Sequence, residues 1–177
     1  VLEGTATDLV MMLVDGDVII GRSNGDQLRL GTLAFNVHAG GGIENRALIV
    51  TDSTVTLTAD GADIVLDGLI QARSGMQINA TNGSVVANTS LEAESGSIGL
   101  NGLLGVVAHD AITAGGEVNL ISGAGQVNAL GEVTGTNVTL TGQTGVIAEN
   151  DVVGSGEVNL ISGAGQVNAM GEVTGTN

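Results

Sequence analysis

The chain has no cysteine, proline, lysine, tryptophan or tyrosine, and Phe35 is its only phenylalanine. Without cysteine it uses no disulfide and no thiol chemistry, which leaves its compartment open. Without lysine its cations are Arg22, Arg29, Arg46 and Arg73, set against a formal net charge of −15. Phosphate backbones are held by clustered Lys and Arg, so no nucleic-acid partner is expected. The lysine of the G-x-x-x-x-G-K-[ST] phosphate loop is missing as well. No apolar run approaches the roughly 18 residues of a membrane-spanning helix, and no such span is expected. The opening VLEGTATDLVMMLV has no basic stretch ahead of its apolar residues and does not read as a signal peptide.

What is present is glycine, 30 residues of it, and an apolar fraction of 42% made mainly of Val, Ile, Leu and Ala. That apolar content argues against disorder. Small and β-branched side chains without large rings fit a fold whose interior is narrow. The acidic, lysine-free surface keeps the protein soluble by self-repulsion and attracts cations.

Self-comparison is the most informative test. GEVNLISGAGQVNALGEVTGTN, residues 116–137, returns at 156–177 with Leu130 replaced by Met170 and nothing else changed. Each 40-residue repeat divides into two similar halves of 20, and the same phase runs back through the chain. One ladder of apolar residues is Phe35, Val55, Met76, Ile98, Val118, Val138 and Val158. A second is Val37, Leu57, Ile78, Leu100, Leu120, Leu140 and Leu160. A third is expected along Ile43, Ile64, Val85, Val107, Val127, Ile147 and Val167. The steps are 20 to 22 residues throughout.

Within a unit, apolar and polar residues alternate, as in V-N-L and V-T-L, which is the period of a strand with one buried face. Helical periodicity is not sustained, and the glycine and threonine content disfavours helices. A unit of about 20 residues with two or three short strands makes one turn of a coil. Stacked turns place each strand beside its counterpart one repeat on, in parallel, about 4.8 Å away. The predicted fold is therefore all-β, a parallel β-helix (β-solenoid), right-handed by the general preference of parallel connections. Residues 35–177 hold about seven coils; residues 1–34 are less regular, with DVII and QLRL as strands of one more coil. No capping coil is visible at the C-terminus, so the chain is expected to be a segment of a longer protein or a subunit that stacks end to end.

Charge placement follows the same logic. Glu117 and Glu157 share a ladder with Asn137 between them, and Glu132 and Glu172 are expected to share another with Val152 between. Like charges on adjacent strands repel, and alternating two unlike half-repeats doubles their separation to about 10 Å, near a Debye length. Asparagines recur at what read as turn positions: Asn119 with Asn159, Asn128 with Asn168, Asn79 with Asn101. Stacked amides of this kind form hydrogen-bonded ladders.

At TGTNVTLTGQTGVIAENDVVGSGEVNLISGAG the chain resembles filamentous-haemagglutinin-type bacterial exoproteins, whose repeats of about this length read V-x-L-x-(A/S)-x-x-G-x-(I/V). The resemblance covers roughly residues 35–177. It implies a secreted, extended rod on the cell surface or in an extracellular fibre, used in adhesion, aggregation, biofilm or toxin presentation. Its partners would be neighbouring rods or host and cell-surface molecules. No match to the family's N-terminal secretion domain is present.

Chemistry-bearing residues are few. Asp60, Asp63 and Asp67 in TADGADIVLDG, and Glu149 with Asp151 in AENDVV, are the candidates for a carbohydrate-active enzyme working with paired carboxylates. The chain lacks aromatic platforms for sugars, and solvated turn carboxylates are the plainer reading. Asp60, Asp63 and Asp67 are also the calcium candidates, because a hard cation takes several oxygens; the Gly-Gly-x-Gly-x-Asp and EF-hand patterns are absent. His38 and His109 have no second His or Cys nearby and form no zinc site or triad on sequence grounds. The glycines of HAGGG and SGAG read as coil corners needing positive φ. Asn-x-Ser/Thr occurs at Asn79, Asn82, Asn88 and Asn137, a cheap match in a chain so rich in these residues. The threonine array of an ice-binding face is broken by Gly99, Asn119 and Ile121. Ile121 and Ile161, apolar on an outward ladder, point to lateral packing against another rod or partner. No cofactor and no catalytic residue is assigned.

Overall fold

The structure, a computed structural model, describes residues 10–23 and 25–176. Strands account for all the regular structure there, and they fall into three parallel sheets of eight strands each. The first sheet runs from Val10–Val14 through Phe35–Ala39 to Val158–Ser162, the second from Val18–Ile20 to Gln166–Ala169, and the third from Gln27–Arg29 to Val173–Thr174. Each turn of the solenoid contributes one strand to each sheet. Turn 6 is Val118–Ser122, Gln126–Ala129 and Val133–Gly135. DVII and QLRL supply the second and third strands of turn 1.

Period two decides what faces inward. Along Thr54–Ala59 the burial alternates, with Val55, Leu57 and Ala59 fully enclosed and Thr56 and Thr58 partly exposed. The first two apolar ladders pair in register from turn to turn, for example Ile98 with Val118 and Leu100 with Leu120. The interior is a stack of Val, Ile, Leu and Ala, most of them with no exposed surface. A buried large aliphatic side chain contributes roughly 1.5–3 kcal/mol relative to exposure, and every turn repeats several.

The third ladder departs from expectation at two rungs. Val85 pairs with Val106 and Val127 with Val146, so Val106 and Val146 are the buried residues while Val107 and Ile147 face outward. The cause is corner length. Between the first and second strands, turn 6 has three residues (Gly123, Ala124, Gly125) where turns 5 and 7 have two. Carrying the first sheet's steps of 22 and 20 residues over to the second sheet misses a corner shortened by one residue, and a one-residue shift turns every side chain to the other face.

The corner glycines serve a different need from the expected one. Positive φ occurs at Gly21, Gly31, Gly75 and Gly145, not in HAGGG or SGAG. At Gly125 a Cβ would collide with the backbone carbonyl of Leu104 in the turn below, and at Gly165 with that of Thr144. Close approach between corners, rather than a left-handed backbone, excludes larger residues there.

Among the described residues three polar side chains are buried, and each is bonded. Asn45 donates to Gly68 O at 2.8 Å, Thr51 Oγ1 donates to Leu33 O at 2.6 Å, and Ser122 Oγ accepts from Gly125 N at 3.0 Å. They satisfy corner backbone groups that lie outside the sheet ladders.

Candidate functional site

The outer surface separates by charge. Of the acidic residues described, only Glu44 and Glu92 lie in strands; the others occupy corners. Three of these carboxylates satisfy backbone amides of the next turn. Asp17 Oδ1 accepts from Gly42 N at 2.7 Å, Asp63 Oδ1 from Ser84 N at 2.7 Å, and Asp151 Oδ1 from Glu172 N at 2.8 Å. Charge-assisted bonds of this kind are stronger than neutral ones.

The calcium candidates are each engaged with a different partner. Asp60 bonds His38 Nε2 through Oδ2 at 2.7 Å, Asp63 takes the Ser84 amide, and Asp67 accepts from Asn88 Nδ2 at 2.8 Å. Asp63 and Asp67 stand at opposite ends of the strand Ile64–Leu66, about 13 Å apart at a strand rise of about 3.3 Å per residue. Among the described residues no three His, Cys, Asp or Glu side chains come together as a metal-binding group. Glu149 and Asp151 are exposed at one corner, and His109 is exposed at another.

The expected carboxylate spacing holds on one ladder and fails on the other. Asn137 lies between Glu117 and Glu157: its Nδ2 donates to Glu117 Oε1 at 3.4 Å and its Oδ1 accepts from Glu157 N at 2.9 Å. On the other ladder Val152 is buried and pairs with Val133 and Val173. Asp151 is the residue between Glu132 and Glu172, placing acids on three consecutive turns, because the corner before Gly145–Ala148 is one residue shorter than its counterpart in turn 6. Their carboxylates diverge. Glu132 and Glu172 swing back to Thr134 Oγ1 and Thr174 Oγ1, each at 2.9 Å, and Asp151 turns to the backbone.

The asparagines of the three expected pairs lie in strands, facing outward, rather than in turns. Asn79 and Asn101 are direct neighbours and bond amide to amide at 2.9 Å. Asn119 and Asn159 are separated by Thr139, and Asn128 and Asn168 by Ile147, so those pairs make no ladder.

Two grooves stand out. One, of about 560 Å³, crosses four turns at the corner leaving the third sheet and is lined by Asp52, Gln71, Arg73, Glu92, Glu94 and Thr113 among others. Within it Arg73 Nε pairs with Glu94 Oε2 at 3.0 Å, and Gln71 Nε2 donates to Glu92 Oε2 at 2.7 Å. None of these residues stood out in the sequence. Their spacing of 21 residues was the available signal, legible once the coil length is known. The other groove, beside the first sheet, is mainly apolar, lined by Leu103, Ile121, Ala80, Thr81, Asn101 and neighbours. Ile121 is 38% exposed and Ile161 48%, both outward on the first sheet, and Leu103 and Leu104 are exposed at the adjoining corner. No helix among the described residues is long and apolar enough to cross a membrane.

Comparison with known protein families, with curated proteins and with solved structures finds no match to this chain.

Proposed function

We propose that the chain is a structural, non-catalytic rod: part of a secreted bacterial adhesin or extracellular fibre of the filamentous-haemagglutinin type. The observation that carries this reading is the unbroken succession of parallel backbone ladders through all three sheets, with one repeating unit serving as both floor and ceiling for the next. Such a rod gains length by adding turns, without redesign of its interior. Carboxylates at the corners keep rods soluble, while the nearly uncharged sheet faces are free for contact. On the first sheet Ile121 and Ile161 are the residues that a neighbouring rod or a cell-surface molecule would cover.

Electron microscopy of the purified chain, with a cell-binding assay on Ile121→Glu/Ile161→Glu, tests this. Rods or threads whose adhesion falls with the double variant are the expected result. Globular particles, or adhesion indifferent to both changes, count against it.

The acidic groove favours a second reading, a carbohydrate-active solenoid using Glu92 and Glu94 beside Arg73. Incubation with neutral and acidic polysaccharides, followed by assay for new reducing ends or unsaturated products, separates the two. Turnover that disappears in Glu92→Gln would replace the structural reading.

A further inference from the structure

Strands of the second sheet depart from the alternation of a strand with one buried face. Ile64–Leu66, Ser84–Ala87, Gly105–Ala108 and Gly145–Ala148 read IVL, SVVA, GVVA and GVIA, apolar inward and outward, where the first sheet keeps TVTLTA and VTLTG. Apolar runs of this kind mark parallel sheets covered on both faces, as by the helices of α/β folds. The rod's own core covers the inner face; on the outer face Val65, Val86, Val107 and Ile147 stay partly exposed. Val65, Val86 and Val107 occupy one rung each on consecutive turns, and Ile147 continues their ladder two turns on. Asn128 holds the rung between, but Leu130 on the same turn is partly exposed and keeps the aliphatic stripe continuous. Its amide still bonds Ala108 O one turn below at 2.7 Å, so the ladder runs one residue past the strand. Five rungs at about 4.8 Å per step make a stripe about 19 Å long.

Acids edge this stripe. Asp63 and Asp67 stand two residues either side of Val65, hence on its face, and Glu149 stands two residues past Ile147. Asp110 and Glu132 are exposed at the corners of turns 5 and 6 on the same border. Asp63 and Asp67 accept hydrogen bonds only from neutral donors, Ser84 N and Asn88 Nδ2. No cation offsets them. Lysine is absent, and the arginines between residues 30 and 177 are Arg46 and Arg73. Arg46 holds Glu44 through two bonds, Nε to Oε1 at 2.6 Å and Nη2 to Oε2 at 2.8 Å, a contact that raises its pKa above the ordinary value. Arg73 pairs with Glu94 at the corner leaving the third sheet.

We infer that the outer face of the second sheet, from Val65 to Ile147, docks a basic amphipathic helix of a partner protein. The helix lies along the rod, its apolar stripe on the valines and its Lys or Arg side chains at Asp63, Asp67 and Glu149. Spacing favours a helix over a strand. A helix returns an apolar side chain about every 5.4 Å, close to the rung spacing of about 4.8 Å, and about 13 residues span the stripe. A strand laid the same way repeats each face about every 6.6 Å and falls out of step within two rungs. Width agrees: Asp63 and Asp67 are about 13 Å apart along their strand, and a helix about 10–12 Å across reaches both with cations extended from its flanks. Charge selects the partner. A second copy would bring its own net −15 to an acid-edged face, whereas a basic helix is complementary to it. The adhesive reading rests on Ile121 and Ile161 of the first sheet and stands or falls separately.

The probe is a synthetic peptide of leucine and lysine, about 14 residues long, with its leucines at helical spacing. Its control has the same composition in an order that scatters the leucines around the helix. Binding to the full chain is followed by anisotropy of the labelled peptide in about 150 mM NaCl, and circular dichroism reports helix gained on binding and the fold of each variant. The helical peptide is expected to bind about tenfold or more tighter than the scattered one. Val86→Ser/Val107→Ser and Asp63→Asn/Asp67→Asn are each expected to weaken it about fivefold or more. The Asn pair keeps the oxygens that Ser84 N and Asn88 Nδ2 bond. Glu117→Gln/Glu157→Gln removes the same charge from another corner and is expected to change binding less than about twofold. Equal binding of the two peptides, indifference to the folded Ser pair, or equal losses from the two charge pairs overturns the proposal. So does a dimer of the unmodified chain that the Ser pair dissolves, which would make a second copy the occupant.

Discussion

The amide of Asn137 donates to the carboxylate of Glu117 one turn below, at 3.4 Å, while its other atom accepts the backbone amide of Glu157 one turn above. The asparagine therefore does more than keep two carboxylates apart; it bonds to both turns.

Asn137→Asp keeps the acceptor for Glu157 and replaces the donor with a third negative charge about 5 Å from its neighbours. It is expected to cost about 1–2 kcal/mol at low salt, by like-charge stacking and the lost bond. Urea unfolding in 10 mM and 1 M NaCl checks this: screening should recover the charge part. An equal loss at both ionic strengths would show the effect is not electrostatic.

Asp151→Asn should act in the opposite sense. It removes the middle charge from the Glu132–Asp151–Glu172 stack while leaving an oxygen for the Glu172 amide. A gain of about 0.5–1 kcal/mol is expected, read from the denaturation midpoint at pH 7. A loss would mean that the diverging carboxylates do not feel one another.

Gly125→Ala tests close approach at the corner. Its Cβ would run into the backbone carbonyl of Leu104 in the corner of the turn below. A destabilisation of about 2–4 kcal/mol is expected, in the range of overpacking and strain. Gly105→Ala, where a Cβ meets nothing nearer than 3.5 Å, is the comparison and should cost less. Equal thermal shifts would remove the steric account.

Leu100→Ala opens a cavity at mid-rod between Ile78 and Leu120, where the side chain has no exposed surface. About 2–5 kcal/mol should be lost, measured by thermal unfolding followed by circular dichroism. A cost under 1 kcal/mol would mean the turns close over the gap and the stack is softer than its packing implies.

Adding one further turn, a copy of residues 138–157 placed after Asn177, should stabilise the rod. Val158 and Leu160 are half-buried and Val167 and Val173 are 45% and 43% exposed, whereas the matching Val118, Leu120, Val127 and Val133 of turn 6 are fully covered. Nearest-neighbour stacking predicts a melting point several degrees higher. No change would indicate that the added coil does not dock.

Most of the architecture was legible in the residues because a solenoid meets itself at a constant sequence distance. The alternation in V-N-L gave the strands, and the Leu57–Ile78–Leu100 ladder gave the register. What failed was local counting. Val107 and Ile147 were placed inside, and Val152 between two glutamates, because corners differ by a residue and the alternation on either side looks the same in both phases. The Arg73–Glu94 pair was invisible for a related reason: an ionic partner one turn away becomes recognisable only when each turn's exact length is known.

Taken alone, the sequence determined period, strand alternation and an aliphatic interior, since these depend on residue type and constant spacing. Tertiary structure decided burial. Val106 and Val107 are adjacent and identical in type, yet the first has no exposed surface while the second faces outward. The difference is the two-residue corner before them, whose length sets which valine meets the turns on either side and which meets solvent.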